Sequence, residues 1–168
     1  LLTNKKVTSE YEKKMVNVED AIEELRKFLN QIQTNSSKER NKLVVILHSL
    51  DHVTRLTKVL RERQKIEAIY IQERLMGEWY NLLSEIKDII HDDKNLENIT
   101  QLLEQKSQKM AEERRARRNQ YFERTVANDA ALDIVVSKVE ALLWIDRLIF
   151  HYWRATARMA ELKDLKEK

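Results

Sequence analysis

The chain has 168 residues, no Cys, no Pro, a single Gly (Gly77) and a formal net charge of +3. That length suits one compact domain. The missing Cys excludes a disulfide framework and thiolate zinc sites, the missing turn residues argue against a sheet protein, and the small net charge argues against a whole-surface polyanion binder. Charged residues make up 35% and hydrophobic residues 42% of the chain, which favours long helices around a real core over disorder.

The first segment, about Val7–Gln33, places Met15, Val18, Ile22, Leu25 and Leu29 three and four apart, one face of a helix. Thr34-Asn35-Ser36-Ser37 breaks the pattern, with Ser36 or Ser37 as a helix cap and Glu39 placed for a capping box. The second segment, about Ser37–Arg63, carries Leu43, Ile46, Leu50, Val53 and Leu60. The third, about Gln64–His91, reads Ile69, Met76, Trp79, Leu83, Ile86 and Ile90, and ends in the polar run His91-Asp92-Asp93-Lys94-Asn95. The fourth starts near Leu96 with Ile99, Leu103 and Met110. The fifth, about Asp129–Leu162, shows Leu132, Val135, Val139, Leu142, Ile149 and Trp153, capped by Asn128 or Asp129. The fold class is therefore all-α, an antiparallel bundle of long helices crossing at about 20°. No apolar run approaches the roughly 20 residues needed to span a bilayer, and no signal peptide is visible. The Leu1-Leu2 start fits a piece of a longer protein.

Leu47-His48-Ser49-Leu50-Asp51-His52-Val53 and Leu142-Leu143-Trp144-Ile145-Asp146-Arg147-Leu148 share the pattern Leu-x-x-aliphatic-Asp-basic-aliphatic at an offset of 95 residues. That period is too long for a solenoid and suits a duplicated three-helix unit. Residues 1–63 then supply two helices of a first unit that lacks its first helix here, and residues 64–168 form the second.

Asp146 falls in the seam Val135, Val139, Leu142, Ile149, Trp153, and the repeat places Asp51 equivalently beside Val44 and Leu47. Buried carboxylates need partners. The expected networks join Asp51 with Arg55 and His48, and Asp146 with Arg147, His151 and Arg154. The sharper alternative is a metal held by His48 and His52, one turn apart, with Asp51 alongside, but the repeated Glu/Asp-x-x-His motifs of bundle metal sites are absent.

Glu112–Arg118 interrupts the seam of the fourth segment after Met110. It reads as a solvated stretch laced by pairs such as Glu113 with Arg117. Alternatively Arg114, Arg115, Arg117 and Arg118 contact anionic lipid or an acidic partner surface. Without interleaved stacking aromatics the patch does not suit nucleic acid. Trp144, Phe150, Tyr152 and Trp153 read as core and subunit interface, which leaves a homodimer open. No nucleophile elbow, phosphate-cradling Gly loop or zinc-hydrolase motif occurs, so no catalysis and no cofactor are expected.

The stretches Leu47–Leu56 and Leu143–Arg154 resemble the closing helices of the two halves of PhoU-like domains. The closer likeness is to the version at the cytoplasmic C-terminus of bacterial sodium/phosphate cotransporter-like membrane proteins. The resemblance implies duplicated three-helix units and a regulatory, non-catalytic role in phosphate transport. It also implies a location on the cytoplasmic face of the inner (plasma) membrane, with a membrane transporter domain in the same polypeptide as partner. PhoU proteins hold metal ions through Glu/Asp-x-x-x-Asp motifs. The equivalent places here read Asp51-x-x-x-Arg55 and Asp146-x-x-x-Phe150. A cation and a phenyl ring replace the second carboxylate, so no inherited metal cluster is expected. Asp129 and Asp133 match the spacing, but at the start of their helix, and no site is assigned to them.

Overall fold

The computed structural model describes residues 2–62, 96–127 and 131–167. The expected helix Gln64–His91 and the cap at Asn128 or Asp129 lie outside the described residues. The described residues form four α-helices: α1 (Leu2–Leu29), α2 (Ser37–Arg61), α3 (Leu96–Val126) and α4 (Leu132–Glu167). None is long and apolar enough to cross a membrane. The all-α antiparallel bundle is as expected, although α4 starts later and runs further than the periodicity suggested.

Helix α4 lies at the centre, packed along α2 on one side and α3 on the other, while α1 packs on α2 over a smaller area. The spatial order is α1–α2–α4–α3. Neighbours run antiparallel: Tyr11 and Arg26 of α1 bond Leu60 and Thr54 of α2, and Val59 and His52 of α2 meet Trp144 and His151 of α4.

Two apolar clusters hold the α3–α4 and α1–α2 contacts. Ile99, Leu103 and Met110 of α3 pack with Ala141, Leu142, Ile145 and Ile149 of α4, bordered by Tyr121, Trp144, Tyr152 and Trp153. The smaller cluster joins Ile22 and Leu29 of α1 to Leu50 of α2, with Leu43, Ile46 and Val53 at its edge. Only half of the α1 seam is used. Met15, Ile22 and Leu29 are buried, whereas Val18, Leu25, Phe28 and Ile32 are exposed. The alternation of three and four continues through both sets, so α1 carries two adjacent apolar stripes and α2 covers one of them.

Local chemistry sets the ends of α2. Ser36 accepts from the Glu39 amide while the Glu39 carboxylate accepts from the Ser36 amide, a complete capping box. No Gly stops the helix. Instead, the Trp144 indole donates to the Val59 carbonyl at 2.6 Å and the Tyr11 hydroxyl to the Leu60 carbonyl at 2.9 Å. The Glu62 amide also donates to the Val59 carbonyl, at 3.1 Å, so side chains of α4 and α1 add to the backbone turn that closes the helix. Arg61, in the last turn, reaches Glu12 and Glu19 on α1, where its cation also suits the helix dipole. The buried Thr57 and Thr156 hydroxyls each donate to carbonyls one turn back, so they add no unsatisfied donor to the core.

Candidate functional site

The polar groups expected to form two equivalent buried networks fall into quite different surroundings. Asp51 is not buried: half of its side-chain surface (50%) is accessible, and it forms an exposed ion pair with Arg55 at 2.8 Å. That hydrogen bond, before any effect of charge at a distance, holds the Asp51 carboxyl below its ordinary range. His48 is exposed and joins neither network nor a metal group. The reason is the choice of face. Helix α1 packs on Leu43, Ile46, Leu50 and Val53, which turns Val44, Leu47, His48 and Asp51 outward.

Asp146 does sit inside, with 16% of its side chain accessible, but its partner is none of the expected ones. Arg114 of α3 reaches it, with Nε 3.2 Å from Oδ2. The Nε–H points off the oxygen and makes no hydrogen bond, so the contact is a charge pair without the alignment that strengthens such pairs. Burial therefore outweighs Arg114 and Arg115, and the Asp146 carboxyl is raised above its ordinary value.

The polar stretch of α3 consequently does not interrupt the seam. Ile99, Leu103, Ser107, Met110, Arg114 and Tyr121 follow one line, and Arg114 is its charged member. Spacing four beyond Met110 and seven before Tyr121 was the available signal. The four-arginine surface contracts accordingly. Arg114 turns to α4, Arg117 pairs with Glu113 at 3.4 Å, and Arg115 and Arg118 remain exposed, Arg118 over the Phe122 ring.

No family model, curated protein or solved structure matches the chain. The likeness to PhoU-like domains thus rests on the residues that carry it.

The junction of α2 and α4 holds a group that the sequence reading did not assemble. His52 and His151, 99 positions apart, bring their Nδ1 atoms to 3.3 Å. Both rings are half-buried, with centroids 5.6 Å apart, and Phe150 packs its ring edge-on against each. Burial is the main force lowering both imidazoles below their ordinary value. Arg154 adds most among the charges at His52, and His52 itself followed by Arg55 adds most at His151, while Asp51 opposes both. At neutral pH one neutral ring donates its Nδ1–H to the lone pair of the other.

Arg147 does not belong to Asp146 either; it is exposed and reaches back to Glu62 at 2.6 Å, a second tie between α4 and the end of α2. Arg158 pairs with Glu161 on its own helix, and Arg154 lies over the Trp153 ring, 5.3 Å from its centre. His52, Val45 and Val59 are spaced by seven on α2, as Trp144, His151 and Arg158 are on α4. That spacing was a legible sign of a second seam.

Proposed function

We propose that the chain is a non-catalytic regulatory domain of a sodium/phosphate cotransporter-like membrane protein. It works through helix-surface contacts on the cytoplasmic face of the inner membrane, beside a transporter domain in the same polypeptide. The observation that carries this reading is the helix order α1–α2–α4–α3. The two helices that share the Asp-basic pattern pack directly on each other, and each is flanked outside by the helix preceding it among the described residues. A duplicated unit places its equivalent helices in this mirror order, in keeping with the PhoU-like resemblance of Leu47–Leu56 and Leu143–Arg154.

The test is sodium-dependent phosphate uptake by the full-length protein with and without these 168 residues. A changed uptake rate at unchanged expression is expected. Unchanged uptake, or a full reading frame with no membrane-spanning helices, overturns the proposal. The alternative is a free-standing, metal-binding phosphate-signalling regulator. It is favoured if the protein, purified without chelators, retains two or more iron or zinc ions per chain after dialysis.

A further inference from the structure

We infer that His52 and His151 form a bidentate site for one exchangeable divalent transition-metal ion of the zinc class, clamping α2 to α4. The separation of the two nitrogens is what a chelate requires. Zinc–imidazole bonds of about 2.0–2.1 Å place two tetrahedral nitrogen ligands about 3.3–3.4 Å apart. The Nδ1 atoms already stand at 3.3 Å. An ion entering between them displaces the shared Nδ1 proton, which that ring then carries on Nε2, so both ligands stay neutral imidazoles.

The surroundings set both the availability and the strength of the site. Half-buried neutral imidazoles keep lone pairs at neutral pH, so protons compete weakly with the metal. Phenyl packing from Phe150 fixes both rings and reduces the ordering needed on binding. Among the described residues no third His, Asp or Glu is placed to complete the shell. Water therefore fills the open positions, and the ion exchanges readily. The groups facing the pair are Asp51 and Arg55 on α2 and Arg147, Arg154 and Arg158 on α4. Arg55, Arg147 and Arg158 are each tied to a carboxylate, which offsets their repulsion of a cation. Arg154 is held over Trp153. The two ligands, His52 and His151, are not the acidic positions of the Asp51-x-x-x-Arg55 and Asp146-x-x-x-Phe150 places, although Asp51, Arg55 and Phe150 border them. The site does not depend on a role in phosphate transport.

The experiment is a Zn2+ titration of the intact chain at pH 7.5, followed by imidazole NMR signals, with urea unfolding run in Zn2+ and in EDTA. Both the His52 and His151 signals are expected to move together and to saturate at one ion per chain. Zinc at a hundredfold above its dissociation constant raises the folded-to-unfolded ratio about a hundredfold. His52→Gln and His151→Gln each abolish that gain, and His48→Gln, at an exposed position, keeps it. Should either variant fail to fold, the wild-type NMR titration alone decides. Movement of only one of the two signals, no saturable change, or the same response to inorganic phosphate instead of Zn2+ overturns the site.

Discussion

The two hairpins of this bundle present the same sequence pattern under different cover. In α3–α4, Leu142 and Asp146 lie beneath α3, and Leu142 retains 1% of its surface. In α1–α2, the positions 95 residues earlier, Leu47 and Asp51, face outward, and Leu47 retains 47%. Leu50 and Ile145, three residues after each leucine, are buried in both. The patterns agree, so the difference comes from where the neighbour settles. Helix α3 continues its line through Arg114, which gives Asp146 a partner and makes that face tolerable to bury. Helix α1 has two apolar stripes to choose from, and α2 offers it an uninterrupted aliphatic face away from Asp51. A carboxylate in a seam is buried when the facing helix brings a cation at the same level, and is otherwise turned to water.

The leucine pair gives the largest contrast. Leu142→Ala should cost about 2–5 kcal/mol through lost burial and a cavity. Leu47→Ala should cost about 0.5 kcal/mol, as at an ordinary surface position. Urea melts of the two variants measure both, and similar losses would mean that α2 carries a covering helix on its outer face.

The aspartates come next. Asp146→Ala leaves Arg114 facing the interface without its partner. A fully buried pair broken in this way costs about 3–5 kcal/mol, and partial solvent access at Arg114 lowers the expected loss to about 2 kcal/mol. Asp51→Ala removes only an exposed pair, for about 0–0.5 kcal/mol. Equal losses in chemical unfolding would erase the distinction between the hairpins.

Acid should separate the interfaces rather than the hairpins. Both histidines bind protons less readily folded than unfolded, so stability is lost as pH falls below their ordinary value of 6.5. The slope is at most about 1.4 kcal/mol per pH unit for each. Asp146 has the opposite sign: its carboxyl is raised above 3.8, so stability declines as pH rises from there through its folded value. Unfolding free energy measured from pH 7.5 to 5 should fall in the wild type, and less in His151→Phe. An unchanged slope in that variant would show that the pair does not sense acid.

Much of this architecture was legible because it is local. The 3–4 spacing of Ile99, Leu103 and Met110 fixed a buried stripe on α3, and Ser36 with Glu39 fixed the start of α2. What stayed hidden depends on partners far along the chain. Asp146 has basic residues within two turns on its own helix, yet it meets Arg114, 32 positions away, because side chains on facing helices share a level while Arg147 points elsewhere. His52 and His151 meet for the same reason, through two heptad lines that carry one histidine each. A single apolar seam per helix is too simple a reading for α1, α2 and α4, whose apolar residues spread over more than one side.

The beginning and the end of α2 are written in different places. Its start is spelled out within four consecutive residues, Ser36–Glu39, and travels with that peptide wherever it goes. Its end combines the local Glu62 turn with Trp144 and Tyr11, the first of them 85 positions from the carbonyl it bonds. In a chain with one glycine and no proline, punctuation on that side is partly borrowed from the tertiary structure. An excised α2 would keep its complete start but lose the two side-chain bonds at its end. In the whole chain, the last turn of this helix is where three helices meet through hydrogen bonds.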